Sequence, residues 1–436
     1  MNLEPMKTII QVALDFVDLK RALRVAREAV DGGADWLEAG TPLIKSAGLE
    51  AVRELRKYFP KKTIVADLKT FDTGRTEVEM AAKAGADIVS VMAAAPVDTI
   101  RDSVLAAANY GCRIMVDFLG IEDVEERAGK IAGLGVNYLN VHVGIDQQMK
   151  GKTAFDVISR VAGVTPLPVA ASGGINSETA PLAVKAGASI IIVGGAIIKS
   201  SDAAAATRLI REAITRQKPI RTRLYRRPAE EKEIRKILKM VSTANISDAM
   251  HRAFGLAGIR PVTCWTGMKM VGQAVTVRTY PGDWAKPVEA VDIARQGQVI
   301  VIDAGGVPPA VWGELATNSS VVKKLAGVVI DGAIRDAGEI KELKFPAYSR
   351  LACPQAGEPK GFGEIGVPVT VGGQKIYPDD WLVGDEDGVM VIPKANVVEF
   401  ANRAMDVLEK ENRLREEILR GGTLGQITEL LKWEKK

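Results

Sequence analysis

Residues 63–74 read TIVADLKTFDTG: an apolar run that meets two acids and a lysine as it ends. A helical stretch follows, closing on KAGAD (83–87), and the next apolar run, ADIVSVMAA, begins inside that phrase. Glycine just past the last helical turn, with a strand starting at once, marks a helix end. The same phrase recurs as KAGAS at 185–189. Working outward, the strands are TIIQVALDF, ADWLEAG, TIVADLK, ADIVSVMAA, CRIMVDFLG, YLNVHVG, LPVAASGG and SIIIVGG, each followed by a segment of helical period. Near-continuous Val, Ile, Leu and Ala suits parallel strands covered on both faces. Eight such units between residues 8 and 216 fit a closed (β/α)8 TIM barrel better than an open doubly wound sheet.

The chain has 436 residues, enough for two domains. Its 47% hydrophobic and 26% charged content fits a packed core rather than disorder. No apolar run is long enough to span a bilayer, and the first residues lack the basic start and cleavage site of a secretory signal. The expectation is a cytoplasmic protein without membrane partners. A net charge of +4 is too mild to argue for nucleic acid. Three distant cysteines form neither a disulfide framework nor a zinc pattern.

Barrels of this kind carry their chemistry at the carboxyl ends of the strands. The polar residues there are Asp15, Glu38, Asp67, Lys69, Asp72, Asp117, His142 and Ser172, with the pairs Gly173–Gly174 and Gly194–Gly195. Buried charge is costly unless paired, so folding alone does not explain this clustering. Asp67 and Lys69 are two apart on a strand and point to one face. With Asp72 on the loop beyond, they can hold a cation or polarise a substrate oxygen. His142 at a barrel mouth can move protons near neutral pH. The glycine pairs let backbone N–H groups approach a phosphate, helped by the helices that follow.

Through QVALDFVD, WLEAGTPL, ADLKTFDTG, HVGIDQQMKGKT, AASGGI and VGGAI, in order across the whole half, residues 1–215 resemble the 3-hexulose-6-phosphate synthases of the orotidine-monophosphate-decarboxylase-like superfamily. The resemblance implies a magnesium-dependent (or manganese-dependent), reversible aldol condensation of formaldehyde with D-ribulose 5-phosphate through an enediolate. It also implies roles: Glu38 and Asp67 as metal ligands, Lys69 sharing the oxyanion charge, and His142 moving the proton. Asp15 would touch the substrate hydroxyls, and Asp72 would reach across a dimer interface. Ser172, Gly173, Gly174, Gly194 and Gly195 would take the substrate and its 5-phosphate. The 3-keto-L-gulonate 6-phosphate decarboxylases share the metal and the enediolate and are the rival. Lys69-Thr70 favours the synthase, whereas Phe71 and Thr73 depart from its pattern.

Residues 216–228, RQKPIRTRLYRRP, are rich in Lys and Arg, hold two prolines and no acid, and read as an exposed basic linker. No set of stacking aromatics accompanies them, so a nucleic-acid partner is not expected. From 229 to 436 the period changes. A helical stretch over 229–250, with a cap at Ser247–Asp248, precedes the strands MVGQAVTVRTY, VIVIDAGG, GVVIDGAI, FPAYSR, VPVTVGG and WLVGDEDGVMVI. These suggest a layered β/α sandwich, closed by an amphipathic helix over 395–418. His251, on the DAMHRAF helix, reads as structural.

STANISDAM, GQAVTV, VIDAGG, WGELAT, GVVIDGAIRD, FPAY, VPVTVGG and DEDGVMVIP resemble the family of the regulator of ribonuclease E activity A, which includes the 4-hydroxy-4-methyl-2-oxoglutarate aldolases. That resemblance implies a pyruvate-forming class II aldolase site, or a non-catalytic regulatory module that binds protein. Arg335 and the amides of Gly313, Glu314, Leu315 and Ala316 would grip a 2-oxo acid. Glu314 would position a proton-transferring water, and Asp336 would place the metal. Glu314 stands where the aldolases carry Asp. Both families usually assemble, so a homo-oligomer acting on small molecules is expected.

Overall fold

Side chains of a β-strand alternate in direction, and closure of a parallel sheet turns that alternation into an inside and an outside. The computed structural model describes residues 7–428. Its first strands are β1 (Ile9–Leu14), β2 (Trp36–Ala39), β3 (Thr63–Thr70), β4 (Ile88–Met92), β5 (Arg113–Asp117), β6 (Tyr138–His142), β7 (Val169–Ser172) and β8 (Ile190–Val193). They form a closed barrel in chain order, with β8 pairing in parallel back to β1. Ile10, Val12, Leu37, Ile64, Val89, Ile114 and Leu139 face outward against the helices. Ala13, Trp36, Val65, Ile88, Met115, Ala170, Ile190 and Ile192 form a separate apolar cluster that fills the interior. The KAGA phrases end helices as expected: Gly85 and Gly187 lie at φ 105° and 109°, backbone that glycine adopts without strain.

The chain divides into two units, Met1–Arg227 with Glu409–Lys436, and Pro228–Leu408. This corrects two expectations. Residues 217–227 are not a free linker. The Ile220 N–H donates to Ser177 O (3.0 Å), the Thr222 N–H donates to Glu178, and Asn176 Nδ2 donates to Tyr225 O. Their basic side chains are partly spent on folding, as Arg226 pairs with Glu178 and Arg227 with Glu409. Residues 409–428, in turn, belong with the barrel rather than with the second unit.

The second unit is built on a mixed sheet. Its strands are β9 (Arg260–Pro261), β10 (Met270–Arg278), β11 (Val299–Asp303), β12 (Gly327–Ile334), β13 (Ala347–Ala352), β14 (Glu364–Ile365), β15 (Val369–Val371), β16 (Gln374–Ile376), β17 (Trp381–Asp385) and β18 (Gly388–Ile392). The order is β18-β17-β10-β11-β12-β13-β9, with β14 beside β10 and β15–β16 a separate hairpin. Helices pack Ala290, Val291 and Ile340 on one face, and the hairpin packs Val369, Val371 and Ile376 on the other. The helical stretch before the sheet breaks at Ser242, not at Ser247–Asp248. Ser242 forms a capping box with Asn245 and starts the helix Thr243–Ala249. His251 lies beyond that helix, exposed and at φ 56°. Among the described residues no helix is long and apolar enough to cross a membrane.

Candidate active site

The interior cluster fixes where the polar residues fall. Asp15, Glu38, Asp67, Asp117, Ser172 and Gly194 each stand two residues after an inward apolar residue, namely Ala13, Trp36, Val65, Met115, Ala170 and Ile192. His142 follows Tyr138 by four on the same face. One more step of the alternation therefore raises a polar layer on the apolar plug, at the carboxyl ends of the strands.

Lys69 departs from simple alternation. The pairing of β3 with β4 shifts register between Ala66 and Thr70, and Lys69 has φ 49°. Such backbone is costly for a non-glycine residue and tends to occur at functional sites. Here it carries the ammonium to 3.1 Å from Asp67 Oδ2 and 2.8 Å from Asp117 Oδ2. The same Asp117 oxygen is 2.9 Å from His142 Nδ1. With Nδ1 engaged, Nε2 is the ring nitrogen left to move a proton.

The acids sit in strongly unequal environments. Burial, then the carboxylates of Asp67 and Asp15, push the Glu38 carboxyl well above the usual range. Asp15 is raised by burial and by Asp67. Burial works against charge on Asp117 too, but the His142 hydrogen bond and the Lys69 ammonium outweigh it and hold its carboxyl down at about 2. Burial would lower Lys69, yet Asp67 and Asp117 together raise it. Lys69 is therefore a fixed cation within a surplus of acid.

Supporting groups complete the mouth. Gln11 Nε2 donates to Glu38, and Thr41 Oγ1 donates to Asp67 Oδ2 at 2.8 Å. The Asp15 carboxylate nests against Gly40, where an added Cβ would stand 2.2 Å from Oδ1. Ser172 Oγ donates to Asn140 Oδ1 at 2.9 Å. At Gly173 (φ 94°) a Cβ would meet Val143 O at 2.1 Å, so only glycine fits the turn. Lys199 lies over the second glycine turn, with Nζ 3.4 Å from the place of a Gly195 Cβ.

Asp15, Glu38, Asp67, Lys69, His142 and Ser172 thus share one end of the barrel with both glycine pairs. Asp72 does not join them: it is exposed, and its Oδ1 accepts the Thr73 N–H. Sequence reasoning placed Asp117 at a strand end without giving it a part, and it missed Gln11, Thr41 and Lys199. An inward polar Gln11 two residues before Ala13 was a usable signal; Lys199 had none.

In the second unit, Gly313, Glu314, Arg335 and Asp336 do come together. The Glu314 N–H donates to Asp336 Oδ2 at 3.0 Å, and Arg335 Nε is 3.4 Å from the same oxygen. Asp336 therefore caps the helix Glu314–Val322, and the Glu314 carboxylate is turned to Asn318. Leu315 is 75% exposed. Among the described residues no group of three or more His, Cys, Asp or Glu side chains forms a ready metal cage in either unit.

An eight-stranded parallel barrel with acids, a lysine and a histidine gathered at its carboxyl end defines a (β/α)8 enzyme site. Comparison with known proteins narrows the class. The orotidine 5′-phosphate decarboxylase/HUMPS family model matches residues 8–210, and the RraA-like (Aldolase/RraA) model matches residues 243–391. The 3-hexulose-6-phosphate synthase of Mycobacterium gastri is 38% identical over 47% of this chain and 99% of its own length. That of Bacillus subtilis (strain 168) is 37% identical over 45% and 93%. The solved structure of the RNA-processing inhibitor RraA from Thermus thermophilis is 28% identical, over 35% of this chain and 92% of its own, with a TM-score of 0.33. The first half of the chain belongs to the orotidine 5′-phosphate decarboxylase/HUMPS family, in the group of the 3-hexulose-6-phosphate synthases, and it is joined to an RraA-like domain.

The Asp117 linkage makes a pH prediction. Its carboxyl binds protons less readily folded than unfolded, so its stabilisation is present above pH ~4 and is lost as pH falls towards ~2. Asp117→Asn is expected to flatten that acid limb in thermal denaturation followed against pH. An unchanged limb contradicts the linkage.

Proposed function

We propose that the barrel is a carbon–carbon lyase of the aldehyde-lyase kind, joining formaldehyde to D-ribulose 5-phosphate to give D-arabino-3-hexulose 6-phosphate, reversibly. The observation that carries this reading is Asp117 Oδ2 holding both Lys69 Nζ and His142 Nδ1. A fixed cation and a proton carrier then face one mouth, beside glycine turns suited to a phosphate. The identity to named synthases supports the substrate pair.

The donor set fits a hard divalent cation. Glu38 and Asp67 offer carboxylate oxygens in an acid surplus that raises Glu38's proton affinity, and magnesium is commonly held by one or two carboxylates with substrate and water. Glu38 and Asp67 would hold magnesium or manganese, which supplies positive charge for the vicinal oxygens of the ketose. The chain's own residues do the rest. His142 Nε2 takes a proton from C1 of ribulose 5-phosphate, and Lys69 stabilises the resulting enediolate. C1 then bonds to the formaldehyde carbon, and the new alkoxide takes a proton, so no proton is gained or lost overall. Asp15 positions the hydroxyls. Gly173, Gly174, Gly194 and Gly195 bind the 5-phosphate, with Ser172 beside them. Asp72, exposed on its loop, would serve a second copy in a homo-oligomer.

Purified full-length protein with ribulose 5-phosphate, formaldehyde and magnesium should consume formaldehyde, and chelation should stop it. Asp67→Ala and His142→Ala should each lower the rate ~10²-fold or more while the barrel stays folded. Near-normal rates in either remove its assigned role. Carbon dioxide release from 3-keto-L-gulonate 6-phosphate, without formaldehyde uptake, overturns the reading in favour of the decarboxylase.

For the second unit we propose a 2-oxo-acid lyase site in which Arg335 binds the carboxylate and the 313–316 turn supplies amides. The convergence of Gly313, Arg335 and Asp336 supports it. Turnover of 4-hydroxy-4-methyl-2-oxoglutarate or oxaloacetate, lost in Arg335→Ala, is the expected result. No turnover by the wild type makes this unit a binding module.

A further inference from the structure

The family model of the barrel ends at residue 210, yet the chain returns to the barrel unit at Glu409, more than 190 residues later. The returning stretch is the later part of the helix Val397–Leu419, with Arg420 just beyond. Its contacts with the barrel combine ion pairs, some of them buried, with bonds to backbone groups. Glu409 has no exposed surface; its carboxylate accepts from the Tyr225 N–H and from both terminal nitrogens of Arg227, at 3.0 and 2.6 Å. Arg413, 2% exposed, donates to Glu28 (2.9 and 3.1 Å), to Glu417 (3.0 Å) and to the carbonyl of Ser200 (3.1 Å). Arg21 pairs with Glu417 at 3.0 Å, and Arg420 donates to Glu28 and to Ser201 O.

The ion pairs end on Arg21 and Glu28, in the helix Leu19–Asp31, and on Arg227, while two further bonds, to the carbonyls of Ser200 and Ser201, end on the segment that follows the second glycine pair. Ser200 and Ser201 come directly after Lys199 and the Gly194–Gly195 turn. Tyr225, whose N–H is held by Glu409, accepts at its carbonyl from Asn176 Nδ2. Asn176 is two residues past Gly174, and its Oδ1 accepts the Glu178 and Thr179 N–H groups. A cavity of about 370 Å³ is lined by Asn176, Ser177, Ala196, Ser200, Thr222 and Tyr225. This pocket lies beside the flanks of both turns, next to the residues the returning stretch contacts.

We propose that residues 409–420 are a positioning clamp for the phosphate-binding end of the barrel, with Arg413 and Glu409 as positioning residues that set affinity for the phosphorylated ketose. The proposal rests on the reading that the glycine turns take the 5-phosphate. Buried ion pairs hold geometry because losing one partner leaves a charge uncompensated. A phosphate cradle needs that geometry, since its amides and cations bind only at fixed distances.

The test uses the full chain with Arg413→Met, Arg413→Lys, Glu409→Gln and the milder Arg420→Ala. In Arg413→Met the KM for ribulose 5-phosphate should rise about tenfold, the scale of one charge-assisted hydrogen bond, with kcat within about twofold of wild type. Inhibition by orthophosphate should weaken in parallel, and Arg413→Lys should restore part of both. A lowered melting temperature with KM and orthophosphate inhibition unchanged overturns the clamp and leaves a stability device. If Arg413→Met fails to fold, Arg420→Ala decides by the same readouts. If the wild type does not turn over ribulose 5-phosphate, the proposed reaction falls. Orthophosphate binding by calorimetry then decides the clamp alone: weaker binding in the variants supports it, and equal binding overturns it.

Discussion

Four carboxylates from the ends of four strands reach one layer of the barrel mouth, and Lys69 stands among them. That excess of acid is the constraint on which the site depends. Asp117 is relieved by two partners, Lys69 and His142, and keeps its charge. Glu38 and Asp15 have weaker compensation, and burial with the neighbouring carboxylates raises both. On the reading proposed above, Glu38 and Asp67 would hold a divalent cation in this mouth. Asp117 holds the ammonium of Lys69 and the imidazole of His142 in place.

The layer follows from the strand period. Each acid lies two residues after an apolar residue that plugs the interior, so the same alternation that packs the core also builds the site. This is why the place of Glu38, Asp67 and His142 at the carboxyl ends of the strands was legible from sequence, along with the barrel and its strand order. The part of Asp117 was not legible, because it depends on pairing with residues 48 and 25 positions away on other strands. Lys199 is brought to the glycine turn by a short helix rather than by a strand, so alternation gives no sign of it. Asp72 has the spacing but not the direction, since its loop leaves it exposed with the Thr73 amide.

The same distinction explains the errors outside the site. The arginines of 216–228 suggested a solvated linker, yet Glu178 and Glu409 take up Arg226 and Arg227, and the latter partner is 182 positions distant. Ser247–Asp248 has capping residues, but Ser242 with Asn245 satisfies the helix start earlier. In the second unit, Gly313, Glu314, Arg335 and Asp336 converge as expected. The carboxylates, however, are already engaged by a helix amide and by Asn318. The acid surplus that marks the barrel mouth has no counterpart there.

The most direct measurement is exchange of the C1 hydrogens of ribulose 5-phosphate in deuterated water, followed by NMR without formaldehyde. The acid layer with its Lys69–Asp117–His142 linkage predicts exchange that requires a divalent ion and disappears in His142→Ala. Exchange that persists in His142→Ala, or that never occurs with magnesium or manganese present, contradicts it.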